Sequence, residues 1–275
     1  MTSATNEVNY LNASDLIKGD VLLSYGDGTI SDVIRLIDGG DYSHAAFYDG
    51  EKIVEARLKG VVSTPVEDEV GVQKYVDVYR FKSDTGEGFL SKDWPPDPVI
   101  EKAHYYLNKG TKYAHNQLYL VGVLIIVRKL PTNPVIRTAL RLIIDEVFDL
   151  FKSIAEGKEA KSVVCSELVY RCYYEANSVP PNKYGLAIKG TLGSDDSSKD
   201  GFIEEENLLD LYDEKTIEKA KKIEEYFWQI NPNFNQENNL LLEGGSPFVA
   251  PEMVTPKDLQ TSSNLVKIGR LVKVK

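Results

Sequence analysis

The sequence predicts an α+β protein: an antiparallel β unit packed on helices, with a helical insertion at about residues 117–160. Short apolar segments separated by glycine and aspartate turns dominate residues 21–81. Helical patterns dominate after Trp94-Pro95-Pro96-Asp97-Pro98, which breaks regular structure. The chain has 275 residues, of which 42% are hydrophobic, so it can fill a substantial core.

The β unit is predicted from alternating apolar positions. A turn at Gly26-Asp27-Gly28 ends the first strand, and Gly39-Gly40 ends a short helix over Ser31–Ile37. The predicted strands are Val21–Tyr25, Ser43–Tyr48, Lys52–Arg57, Gly60–Thr64 and Tyr75–Phe81.

The later part of the chain is predicted to be mainly helical. Residues 135–154 carry one apolar stripe with charged residues outside it, as expected for an amphipathic helix. Thr255-Pro256 predicts a capped helix start. We expect residues 1–14 to be a flexible tail and residues 15–275 to form a single domain, with a loop at 193–201. The remaining predicted elements are helices at Val99–Lys109, Cys165–Asn177 and 214–230 and a final strand at Leu265–Val274.

Charge and composition argue against several classes of protein. A formal charge of −10 argues against nucleic-acid binding, which needs a basic face. The N-terminus has no apolar core of a signal peptide, and the run Leu118–Val127 is too short to span a bilayer. We therefore expect a cytoplasmic protein. Cys165 and Cys172 on one helix would lie ~10.5 Å apart, beyond disulfide reach, so we expect free thiols.

A histidine and a glutamate flank one predicted hairpin. If Asp49-Gly50 forms a two-residue turn, His44 lies directly opposite Glu55. A four-residue turn would instead place Glu55 opposite Ala46, on the same face as His44 and diagonal to it. In either register Glu55 can accept a hydrogen bond from one imidazole nitrogen and leave the other nitrogen as a base.

Cys165 lies where a strand-like apolar step runs into a predicted helix. The unpaired N–H groups and the dipole of a helix start favour a thiolate. Cys172 lies mid-helix and is expected to be a packing residue, and a cysteine on an apolar stripe is more often packing than catalytic. We expect His104 and His115 to be structural. The helix-start position of Cys165 and the His44–Glu55 pairing together favour a catalytic function.

Metal and phosphate sites are not predicted. The cysteines and histidines lack zinc-ligand spacing, and Gly26-Asp27-Gly28 is a turn without the pattern of a phosphate-binding loop. We therefore expect no cofactor and no metal.

Four short segments occur in a characteristic order along the chain: Gly19-Asp20-Val21-Leu22-Leu23, Tyr42-Ser43-His44-Ala45-Ala46-Phe47-Tyr48, Val54-Glu55-Ala56 and Cys165-Ser166-Glu167-Leu168-Val169. In this order they resemble the permuted papain-like cysteine hydrolases of the YiiX/YaeF type, which are similar to NlpC-type cell-wall peptidases and lecithin:retinol acyltransferases. The resemblance covers roughly residues 15–115, 160–180 and 250–275, and it implies a circularly permuted papain-like fold with Cys165 as nucleophile, His44 as base and Glu55 as its orienter.

The resulting hypothesis is a cysteine hydrolase that cleaves an amide bond in a peptide, a cell-wall peptide or a lipid amide. Two alternatives stay open: a lipid acyltransferase or deacylase with the same residues, and a catalytically idle binding module. Residues 118–154 are expected either to border the active-site cleft, with possible contact to lipid or a membrane surface, or to form a plain helical core. The sequence does not indicate an oligomeric state.

Overall fold

The structure is a computed structural model that describes residues 8–57, 60–109, 117–128, 130, 134–158, 164–188, 211–231 and 251–273. It is a mixed α+β architecture built on one seven-stranded sheet with strand order β1-β7-β6-β2-β3-β4-β5. The strands are β1 (Tyr10–Leu11), β2 (Val21–Gly26), β3 (His44–Tyr48), β4 (Ile53–Arg57), β5 (Gly60–Thr64), β6 (Gln73–Phe81) and β7 (Leu265–Leu271).

All neighbouring strands are antiparallel except β1 and β7, which pair in parallel. The predicted strands are confirmed to within about two residues at their starts, and the final strand ends three residues earlier than expected. The expected flexible tail needs a correction, because Tyr10–Leu11 pairs with the sheet edge and Ala13–Asp15 forms a 3₁₀ turn. Residues 1–7 lie outside the described residues.

Helices cover both faces of the sheet. They are α1 (Thr29–Asp38), α2 (Val66–Val72), α3 (Asp97–Asn108), α4 (Gln117–Arg128), α5 (Pro134–Ala155), α6 (Cys165–Tyr174), α7 (Glu214–Ile230) and α8 (Pro256–Thr261). The large core, which includes Leu23, Phe47 and Tyr173, lies on one face, and α2 covers a smaller core around Leu22 and Val78 on the other. Helix α2 was not predicted from the sequence.

The hairpin between β3 and β4 adopts the second of the two expected registers. Phe47 pairs with Val54 and Tyr48 pairs with Ile53. The Asp49 N–H donates to the Lys52 carbonyl at 3.0 Å, so the centre of the turn is one residue later than Asp49-Gly50. The Asp49 carboxylate fixes this turn by accepting from the N–H groups of residues 51 and 52. Of the two alternatives, the structure therefore has the four-residue turn and not the two-residue turn at Asp49-Gly50.

The helical insertion is packed as a core. Helix α4 contacts α1, α5 and α7, its apolar side chains from Tyr119 to Ile126 are buried, and Leu118 is partly buried. Gly122 allows α5 to approach closely, because a β-carbon there would lie 2.2 Å from the Phe151 ring, which stacks on Tyr119. This packing corresponds to the core alternative, since protein covers the apolar surface of α4. Within the described ranges, no helix is long and apolar enough to cross a membrane.

Candidate active site

Cys165 is the first residue of α6, directly after the extended residue Val164. The Glu167 carboxylate accepts from the Val164 N–H at 3.3 Å, and the Ser166 hydroxyl donates to the Val254 carbonyl at 2.6 Å. The first bond caps the start of the helix, and the second fixes it against the segment that precedes α8. The thiol is therefore held where the N–H groups of the first turn have no partners within the helix.

His44 is the first residue of β3 and lies beyond the two β3–β4 pairs. Its Nε2 lies 3.0 Å from Oε2 of Glu55, and its side chain hydrogen-bonds Cys165. Since Nε2 is engaged by the carboxylate, Nδ1 is the nitrogen left for the thiol. The structure thus brings together all three residues that the sequence singled out.

The electrostatics of the group favour a charged imidazole. Burial of His44 opposes its protonation, but charge interaction and hydrogen bonding with Cys165, and then with Glu55, raise its pKa well above the ordinary value. Burial also opposes ionisation of Glu55, yet its bonds to His44 and Arg57 lower its pKa. An imidazolium between the thiol and a carboxylate is the arrangement that activates a cysteine nucleophile.

A second layer of polar residues holds Glu55. Arg57 Nε lies 2.8 Å from Glu55 Oε1, and its guanidinium also donates to Glu69 on α2. Glu69 in turn accepts from the Gln73 side chain at 2.7 Å. None of these three residues was predicted from the sequence. Arg57 could have been found, because it lies two residues after Glu55 and therefore on the same face of a strand.

One group of residues could hold a metal ion. His44, Glu55 and Glu69 each offer a ligand atom, and these atoms lie within 4.8 Å of one another. The Arg57 guanidinium already contacts both carboxylates, so it supplies the positive charge that a metal would bring. A divalent cation at this point would have to displace Arg57 from Glu55 and Glu69.

The remaining thiol and histidines differ from this group. Cys172 is buried mid-helix, and burial raises its pKa strongly, as expected for a packing residue. The described cysteines are free. His104 Nε2 lies 2.9 Å from the Asp49 carboxylate, and its structural role stays a prediction. His115 lies outside the described residues.

Of the comparisons with known proteins, the one with solved structures finds a similarity. No family model matches the chain, and no curated protein matches it significantly. Among solved structures, the chain is similar to the metalloprotein yiiX from Escherichia coli O157:H7, with 12% sequence identity and a TM-score of 0.42. The match covers 92% of this chain and 96% of that protein. A likeness at this level leaves the permuted papain-like fold and any activity as proposals.

Proposed function

We propose that this protein is a cysteine hydrolase that cleaves an amide bond through an acyl-enzyme on Cys165, on a permuted papain-like fold. The observation that carries the proposal is the position of His44, whose Nε2 lies 3.0 Å from Glu55 Oε2 and whose side chain also hydrogen-bonds Cys165. This arrangement supplies a nucleophile, a base and an orienting carboxylate. A histidine and a cysteine that serve only to pack the core would not require this arrangement.

In the first half of the reaction, the Cys165 thiolate attacks the amide carbonyl and a C–S bond forms. Backbone N–H groups at the start of α6 stabilise the oxyanion. The His44 imidazolium gives its proton to the amide nitrogen, the C–N bond breaks, and the amine leaves.

In the second half, a water molecule attacks the thioester while neutral His44 takes its proton. The C–S bond then breaks, the carboxylic acid leaves, and the thiolate–imidazolium pair is restored. Glu55 keeps the same ring nitrogen bonded throughout, so the ring orientation is preserved between the two steps.

The test is trapping of the acyl-enzyme. The full chain is incubated with a panel of fluorogenic peptide amides and fatty-acyl amides, and the protein is analysed by intact mass and peptide mapping. We expect turnover together with an acyl adduct on Cys165. The matched control is Cys172→Ala, which removes a thiol from the same helix and should keep both signals. Turnover that survives Cys165→Ala would overturn the proposal.

The alternative of acyl transfer uses the same residues and differs only in the acceptor. The apolar side chains of α4 from Tyr119 to Ile126 are buried among α1, α5 and α7 and Leu118 is partly buried, so α4 does not offer a broad free surface for a long acyl chain. Hydrolysis is therefore the preferred reaction. Adding a primary amine to the assay separates the two: a transferase forms the new amide, whereas a hydrolase releases the acid.

A further inference from the structure

We propose that Glu69 is a positioning residue for the active site: by holding one nitrogen of the Arg57 guanidinium, it keeps a carboxylate oxygen of Glu55 available to His44. This inference rests on the proposed function and adds to it a residue outside the reacting groups. Glu69 acts through Arg57 and Glu55, and it makes or breaks no bond itself.

The face of the sheet that α2 covers carries Glu55 and Arg57. Ile53, two residues before Glu55 on β4, packs in the smaller core with Val70 of α2. Because side chains alternate along a strand, Glu55 and Arg57 lie on this same face. Glu69 directly precedes Val70 and is 1% exposed. Its buried carboxylate needs a charged or polar partner, and Arg57 supplies one.

The Arg57 guanidinium is divided between two carboxylates. Its Nε lies 2.8 Å from Oε1 of Glu55, and its Nη2 donates to Oε2 of Glu69. Oε2 of Glu55 lies 3.0 Å from Nε2 of His44, and Thr64 also hydrogen-bonds Glu55. Glu55 can therefore face an arginine and a histidine at once, because the arginine places only Nε on it.

Two other arginines of the same sheet place both nitrogens on one carboxylate. Arg80 on β6 donates from Nε and Nη2 to the two oxygens of Asp20, both at 2.8 Å. Arg270 on β7 donates in the same way to Asp77, at 2.6 and 2.9 Å. This two-pronged pairing is a frequent geometry of arginine with a carboxylate. Arg57 has the same two nitrogens, so it would pair likewise with a single carboxylate partner.

A two-pronged pair of Arg57 with Glu55 would engage both oxygens of Glu55 and weaken the bond to His44. Glu69 prevents this by drawing Nη2 away. Gln73 supports Glu69 in turn, because its Nε2 donates to Oε1 of Glu69 at 2.7 Å and leaves Oε2 for the arginine. The position of Glu69 therefore determines how much of the guanidinium reaches Glu55.

The experiment is a double-mutant cycle on the full chain. Glu69→Gln, Arg57→Gln and the double variant are compared with wild type in kcat and KM, with the fluorogenic peptide amide that wild type turns over fastest. The rate of Cys165 alkylation by iodoacetamide, mapped by mass spectrometry, is a second readout that needs no knowledge of the substrate. Asp77→Asn is the matched control, because it also removes a buried carboxylate from an arginine of the sheet. Circular dichroism and urea denaturation report folding.

We expect Glu69→Gln to lower kcat by about 10-fold to 30-fold, as the loss of one charge-assisted hydrogen bond would give. KM should stay within about twofold, because the reacting groups are affected and substrate binding is not. Adding Arg57→Gln should raise kcat again to the level of Arg57→Gln alone, since the competing guanidinium is gone. Glu69→Asp keeps the charge and should lose only about threefold. The rate of Cys165 alkylation should follow the same order.

The control and the failures separate this role from the proposed function. Asp77→Asn should lower stability and leave kcat within about twofold of wild type. If iodoacetamide labels Cys172 in preference to Cys165, or if turnover survives Cys165→Ala, the proposed nucleophile is wrong and the role of Glu69 falls with it.

If Cys165 is required but Glu69→Gln leaves kcat within about twofold of wild type, the hydrolase proposal stands and the positioning role is refuted. A double variant that is no faster than Glu69→Gln refutes it as well, because Glu69 would then act by another route than Arg57. Should Glu69→Gln not fold, Glu69→Asp decides the question: an unchanged kcat refutes the role, and a threefold loss at unchanged KM supports it.

Discussion

Two buried carboxylates in the same sheet, Glu55 and Asp77, have very different surroundings. Each is about 1% exposed and each contacts cations. Asp77 accepts from Arg270, Lys267 and Tyr42, at distances of 2.6 to 2.9 Å. Glu55 shares its oxygens between Arg57 and a histidine that also contacts a thiol.

Under the proposed function, the surroundings of the two carboxylates separate an ion pair that holds the fold from one that supports the reaction. The partners of Asp77 are an arginine, a lysine and a tyrosine whose pKa is raised by burial, so none of them exchanges a proton near neutral pH. Glu55 contacts, besides Arg57, an imidazole, which gives up and takes back a proton in the proposed reaction. We therefore expect changes at Asp77 to affect stability and changes around Glu55 to affect activity.

The largest effect is expected at the thiol. Cys165→Ala should lower turnover by at least about 1,000-fold, because no other group can form the acyl-enzyme. Cys172→Ala should stay within about threefold of wild type, apart from some loss of stability from the small cavity. Steady-state assays of both variants, with circular dichroism to confirm folding, measure this. An equal loss in the two variants would show that the wrong cysteine was chosen.

The next largest effect is expected at His44, and it is compared with the effect at its carboxylate partner Glu55. His44→Ala should lower turnover by roughly 1,000-fold or more, because it removes the base. Glu55→Gln should be milder, since the amide oxygen can still accept from Nε2 while the charge that stabilises the imidazolium is lost. Turnover measured side by side tests the order. If Glu55→Gln is as damaging as His44→Ala, the carboxylate does more than orient the ring.

At Asp77 the expected effect is on folding. Its cation partners lower its pKa, although burial opposes this, so it stabilises the folded protein above its ordinary pKa of about 3.8. That contribution is lost as the pH falls through the lowered value. Asp77→Asn should reduce the free energy of unfolding at pH 7 by about 2–4 kcal/mol. The difference from wild type should shrink below about pH 4, as urea denaturation can measure. A difference that is constant with pH would exclude charge as the cause.

The sequence predicted the parts of the site that depend on local patterns. Alternation placed His44 and Glu55 on neighbouring strands, and the apolar step before Cys165 marked a helix start, which the structure has at that residue. The sequence left two hairpin registers open, because an aspartate side chain can cap the turn one residue later than its glycine signal suggests. The sequence patterns also did not show which residues far apart in the chain contact each other.

The second layer was missed for a related reason. Glu69 lies on a helix of only seven residues, too short to show a clear period, and its contact with Arg57 depends on how that helix packs against the sheet. The pairing of β1 with β7 joins residues about 260 positions apart and carries no local signal. Residues that act through the tertiary fold are therefore the ones that sequence patterns leave out.

The smallest effect is expected at Arg57, which contacts Glu55 and Glu69 but is 42% exposed at its side chain. Because solvent screens its charge, Arg57→Gln should lower turnover by only about threefold to tenfold. Arg57→Lys should recover part of this loss, since it keeps the charge but cannot bridge both carboxylates with a planar guanidinium.

The readout that separates positioning from general destabilisation is the pH profile of turnover. Loss of Arg57 removes one of the contacts that lower the pKa of Glu55, so the acidic limb of the profile should move to higher pH. Arg270→Gln is the matched control, because it removes an arginine from Asp77 instead. It should lower stability and leave the acidic limb in place. If both variants move the limb equally, Glu55 and Asp77 do not differ in the way that their surroundings indicate.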